Sequence, residues 1–260
     1  MWHARRAMPH SGTMCHSNDS RPPAPPEIGP VAEHGPITLT SSDGSRLPAH
    51  FALPGRTPRG RMIVLPDVRG LHPYYRDLTV RCAEAGFATV AIDWFGRTTE
   101  DDERPDDFPW REHIPKVEPA HVAADVTVAL EHLAGRGVTG PAFTVGFCFG
   151  GSQSWRLSAG DVDLAGVIGF YGRPMLVRDV IPRMRRPMLL LLAGDDAVTP
   201  AEEFTAFTAE LAAAGVPYEA HTYPGAPHSF FDRSFGEWQE ACADAWRRIL
   251  DFTARHGAAA

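Results

Sequence analysis

The sequence is short of several things, and each shortage excludes a class of protein. Lysine occurs once, at Lys116, against 24 arginines, and acidic residues outnumber basic ones, leaving a formal net charge of -7. That balance argues against a general nucleic-acid binder, whose phosphate contacts need clustered cations. Long apolar runs are missing: 188–193 (MLLLLA) falls far short of the roughly 20 residues needed to span a bilayer. Cysteine is scarce, with four in 260 residues and no C-x-x-C pair, which argues against a disulfide scaffold or a zinc finger. No apolar stretch of about 7–15 residues follows the basic residues of 1–6, so no secretory leader is expected and the reading is a cytoplasmic protein. P-loop, G-x-G-x-x-G and H-E-x-x-H patterns are absent too, and neither cofactor nor metal is expected.

What is present suits one large domain. With 43% hydrophobic residues over 260 positions there is enough to fill a single core, but two full-size domains would be cramped. Residues 1–33 are Pro-rich and lack a periodic apolar pattern, so they are expected to be a disordered tail, with the domain spanning 34–260. His3, His10, Cys15 and His16 are spaced too irregularly there to suggest a metal site.

From residue 36 a regular alternation begins. Residues 37–40 and 49–53 read as an antiparallel strand pair split by the turn signal Ser42-Asp43-Gly44. Short apolar strands are expected at 61–66, 87–94, 142–147, 164–171, 187–193 and 218–223. Helical patterns fall between them: at 73–86, near 122–133, from 150, at 200–214, and last through Trp238, Cys242, Ala245, Ile249 and Phe252. Fully apolar strands alternating with helices imply an α/β domain whose mainly parallel sheet is covered on both faces. An acidic, Pro-bearing loop is expected over 97–118.

The sharpest local signal is GFCFGG (146–151), at the end of a strand and the opening of a helix. A nucleophile on such a turn needs strained backbone angles, and small residues two positions away on either side let the chains pass closely. Cys148 therefore reads as a nucleophile, whereas Cys82 and Cys242 lie on apolar helix faces and read as core. An acid follows in GDDAVTP (194–200), where Asp195 and Asp196 are rivals and Asp196 is preferred. A histidine follows in PHSF (227–230), after the last strand; His228 has both the chain order and the context that this architecture requires.

Together with LPDVRG (65–70) and DWFGR (93–97), these motifs make residues 36–256 resemble the dienelactone hydrolase family of the α/β-hydrolase superfamily. The resemblance implies an α/β-hydrolase fold with a central sheet of about eight strands. It also implies a catalytic triad of Cys148, Asp196 and His228, and an oxyanion hole from the N–H groups of Val68 and Phe149. Asp67 matches a carboxylate, usually Glu, that helps to deprotonate the thiol, and Arg97 an arginine that holds a substrate carboxylate. A second carboxylate-binding arginine would fall where this chain has Asp232, with Arg233 one step late.

The expected activity is hydrolysis of a small ester or lactone through an acyl-thioester, by a monomer or homodimer without nucleic-acid or membrane partners. An acyltransferase using the same triad and a non-catalytic binding module are the alternatives. Arg97 has a rival role as partner of the acidic loop (Glu100, Asp101, Asp102, Glu103), and Asp67 one as a cap. Trp94, Phe95, Phe147, Phe149 and Tyr171 lie near strand ends, as pocket lining or core, and Trp110 and His113 are lid candidates.

Overall fold

Eight strands form one sheet in the computed structural model, which describes residues 20–105, 107–231 and 236–258. In chain order they are β1 (Val31–Thr40), β2 (Arg46–Pro54), β3 (Gly60–Leu65), β4 (Phe87–Ile92), β5 (Ala142–Phe147), β6 (Gly166–Phe170), β7 (Met188–Asp195) and β8 (Tyr218–Pro227). Their order across the sheet is β1-β2-β4-β3-β5-β6-β7-β8. The β1–β2 and β2–β4 pairs are antiparallel and the rest parallel, so the early hairpin forms one edge as expected.

The helices are α1 (Pro73–Glu84), α2 (Trp110–His113), α3 (Pro119–Gly135), α4 (Phe149–Leu157), α5 (Ala201–Ala213) and α6 (Gln239–Gly257). Strand side chains alternate between faces, and the core divides accordingly. Ile63 and Leu65 of β3 join Val126 of α3, Trp155 of α4 and Phe207 of α5. Met62 and Val64 join Leu78 and Cys82 of α1 and Cys242 and Trp246 of α6. This is the α/β-hydrolase fold. Short 3-10 turns at Pro174–Leu176 and Arg178–Arg183, and helix α2, lack enough periodic residues to be read from sequence.

One expectation needs correction. The expected tail of 1–33 is ordered in its described part, residues 20–33, and β1 starts at Val31 rather than 37. Pro22, Pro23 and Pro25 are buried, Trp246 Nε1 donates to the Pro23 carbonyl (3.1 Å), and the Gly29 N–H donates to Glu84 (2.8 Å). Proline suits this role because it brings no N–H that burial would leave unpaired. The remainder of that segment, with His3, His10, Cys15 and His16, lies outside the described residues.

The acidic loop is anchored from inside the protein. Arg104 and Asp93 are both fully buried and paired at 2.5 Å, and the Arg104 guanidinium lies over the rings of Phe95 (5.5 Å) and Phe108 (4.7 Å). Burial raises the Asp93 pKa against the opposing pull of Arg104. This pair pins the loop to the end of β4.

Candidate active site

The turn from β5 into α4 depends on side chains that are not there. Cys148 stands at its apex with φ 54° and ψ -113°, a left-handed conformation that costs a non-glycine residue about 1–3 kcal/mol. A Cβ on Gly146 would lie 2.0 Å from the Gly150 carbonyl oxygen, and one on Gly150 would lie 2.1 Å from that of Leu65. Both obstacles are backbone, so no rotamer change relieves them, and glycine is required. The thiol is held at the N-terminal end of α4, where unpaired N–H groups and the helix dipole favour negative charge.

Two further loops converge on it. Asp195, the last residue of β7, is exposed; the carboxylate of Asp196 is 1% exposed. Asp196 Oδ1 accepts the N–H groups of Val198 (2.7 Å) and Thr199 (3.0 Å), which fixes the carboxylate and leaves Oδ2 at 2.8 Å from His228 Nδ1. Of the two rival aspartates, the structure thus brings Asp196 to the histidine. The second ring nitrogen, Nε2, is buried with no nitrogen or oxygen partner among the described residues. Burial is the largest single influence on the His228 pKa and lowers it. The negative charge of Cys148 and hydrogen bonds to Asp196 and Cys148 outweigh burial and raise it to about 10. The ring of Tyr171, itself at φ 35°, packs against the imidazole with centroids 4.9 Å apart.

The Phe149 N–H is the first of α4 and has no partner within the helix. The Val68 N–H has no acceptor among the described residues, and its loop backs onto the elbow, since Leu65 and Pro66 carbonyls are what a Cβ on Gly150 would strike.

The family model for the dienelactone hydrolase family matches residues 47–257. The chain belongs to the dienelactone hydrolase family. With it the protein is a carboxylic ester or lactone hydrolase. A Salmonella typhi protein provisionally assigned as a carboxymethylenebutenolidase is 29% identical, over 94% of this chain and 98% of that protein. A carboxymethylenebutenolidase of Pseudomonas putida is 28% identical, over 84% of this chain and 95% of that one. A solved Klebsiella pneumoniae structure, provisionally assigned as a dienelactone hydrolase, superposes with a TM-score of 0.74 at 26% identity, covering 85% of this chain and 98% of that one.

Within this dienelactone hydrolase family member, the two charged site candidates outside the elbow, Arg97 and Asp67, each meet charged groups of the chain itself. Arg97, expected to hold a substrate carboxylate, is held instead by the chain's own acids. Its Nη1 and Nη2 meet both Asp125 oxygens at 2.7 and 2.8 Å, Nε meets Asp43 Oδ2 at 2.8 Å, and Nη2 donates to Ser41 Oγ at 2.8 Å. A guanidinium has five N–H donors in a fixed fork, and this bidentate arrangement uses its most favourable geometry on Asp125. These contacts make Arg97 a strut between the β1–β2 turn and α3. Its partners are not the acidic loop residues either. The signal was available at Asp125, an acid on the same helical stripe as Val122, Val126 and Leu133.

Asp67 is buried, with Oδ1 accepting the Arg69 N–H (2.8 Å) and Oδ2 3.6 Å from the Arg69 guanidinium. Arg69 is 3% exposed, and its only sign in the sequence is an arginine inside the turn LPDVRGL. Asp232 and Arg233 lie outside the described residues.

Trp94, Phe95, Phe147 and Tyr171 are buried and Phe149 half-buried. His113 bonds Thr98 Oγ1 (2.8 Å) and stacks on Phe108, which makes it a support of the acidic loop. Cys82 and Cys242 are buried in the core, and burial, with Glu84 adding, pushes the Cys82 thiol up to about 12.

Proposed function

We propose that the protein hydrolyses a small ester or lactone, of the dienelactone type, through a Cys148–His228–Asp196 triad and an acyl-thioester. The observation that carries this reading is the position of His228, held at 2.8 Å by a buried Asp196 and raised in pKa by the charge of the strained Cys148. Asp196 orients the imidazole and offsets its charge. Cys148 and His228 then form a thiolate–imidazolium pair, so the nucleophile needs no further base. Asp67, engaged with Arg69, shapes the loop that carries the Val68 N–H.

In the first half-reaction the Cys148 sulfur attacks the carbonyl carbon. The carbonyl oxygen becomes an oxyanion held by the N–H groups of Val68 and Phe149, where one donor is worth about 2.7–4 kcal/mol. The C–O bond breaks, the leaving oxygen takes its proton from His228 Nε2, and a thioester remains. Acylation removes the thiolate charge, one of the influences that raise the His228 pKa, while the lowering by burial persists. The imidazole is then neutral and takes a proton from water as the water attacks the thioester. Collapse expels the thiolate, releases the acid and restores the imidazolium. Thiolate leaves more readily than alkoxide, which favours substrates with a good leaving group, such as enol lactones.

A substrate panel tests the reading. The protein is expected to hydrolyse para-nitrophenyl acetate and a neutral enol lactone. With Arg97 saturated by Asp125 and Asp43, a carboxylated enol lactone is expected to gain no advantage from it. Failure to open either lactone would contradict the proposed substrate class. Equal turnover when an alcohol rather than water must accept the acyl group would favour acyl transfer.

A further inference from the structure

Trp94 makes two contacts that only the oxyanion hole connects. Its indole Nε1 donates to the Asp67 carbonyl oxygen at 2.8 Å, and its ring packs edge-on against Phe149, centroids 5.5 Å apart at 87°. The Asp67 carbonyl and the Val68 N–H belong to one peptide unit. In a trans peptide these two groups are coplanar and point in opposite directions. A donor that fixes the carbonyl therefore fixes the direction of the N–H behind it, and it also polarises that N–H, because hydrogen bonds in a chain strengthen one another. The Gly70 N–H approaches the same carbonyl at 3.2 Å and holds the turn from the other side. The second contact bears on the other half of the hole, since Phe149 supplies the other N–H. Trp94 is 3% exposed and lies two residues past the end of β4, next to the buried Asp93–Arg104 pair that fixes this stretch of chain.

We infer that Trp94 is a positioning residue for the oxyanion hole, one indole that orients both backbone donors. The inference rests on the hydrolase reading above and goes beyond it by assigning the side chain that aligns the hole. An ordinary core tryptophan would contribute area and find any convenient acceptor for its N–H. This one spends its N–H on the peptide whose other end is a proposed catalytic donor.

The test separates oxyanion stabilisation from thiol reactivity. Alkylation of Cys148 by iodoacetamide displaces iodide and develops no oxyanion, whereas acylation by para-nitrophenyl acetate does. Trp94→Phe keeps an aromatic ring against Phe149 and deletes the donor; Trp94→Leu deletes both. Losing a direct oxyanion donor costs about 10²–10³-fold in kcat, and Trp94 acts one hydrogen bond further out. The expected result for Trp94→Phe is a loss of about tenfold in kcat with KM and the alkylation rate within about twofold of wild type, and a larger kcat loss for Trp94→Leu. Unchanged kcat in Trp94→Phe would overturn the inference, and so would alkylation and kcat falling in parallel, the pattern of a merely structural residue. A wild-type protein that is alkylated but hydrolyses no ester would remove the hydrolase reading itself, and the inference with it.

Discussion

Cys148→Ala is expected to lower hydrolysis of para-nitrophenyl acetate by at least about 10⁴-fold, the scale on which removing a triad nucleophile acts. The loss should lie in kcat, because the sulfur makes the bond that defines the first half-reaction, and binding of the ester does not depend on it. The fold should tolerate the change. The strained φ of 54° is imposed by the Gly146 and Gly150 contacts, and alanine introduces no atom that cysteine lacks. A melting temperature close to wild type, measured beside the activity, would show that chemistry and not folding was lost. Comparable activity in wild type and Cys148→Ala would exclude covalent catalysis at this residue.

Asp196→Asn is expected to cost about 10⁴-fold, because an amide nitrogen facing His228 Nδ1 stabilises the wrong tautomer. It also carries a pH signature. The His228 pKa lies above its ordinary value, near 10, so the imidazolium is present below that pH and is lost as pH rises through it. kcat/KM for an ester should therefore hold through neutral pH and fall above about 10, where the leaving oxygen no longer finds its proton donor. The hydrogen bond to Asp196 is one of the influences raising that pKa. In the Asn variant the descending limb should move to lower pH. A limb that stays in place would mean that Asp196 does not act on the proton His228 transfers.

The architecture was legible in the sequence because its signals are local. Apolar strands such as FATVAI announced a parallel sheet, and each expected strand lies within a few residues of an observed one. The elbow was legible for the same reason, since the need for glycine on both sides of Cys148 is contained in six residues. What escaped the sequence depends on pairs distant along the chain. Arg97 looked available until Asp43, 54 residues before it, and Asp125, 28 after it, closed on its guanidinium. The segment around Pro23 looked like a tail because its hydrogen-bonding partner, Trp246, lies 223 residues away. Trp94 was visible only as an aromatic near a strand end. Its link to the peptide of Val68 is a matter of three-dimensional geometry, and no periodicity encodes it.

The proposed mechanism turns on a covalent bond to one sulfur. Rapid acid quenching during turnover of para-nitrophenyl acetate, followed by mass spectrometry of the digested chain, looks for that bond directly. An acetyl group on the peptide containing Cys148, present in wild type and missing in Cys148→Ala, is the predicted result. Turnover with no acyl group on Cys148, or with acylation at another residue, would contradict the mechanism.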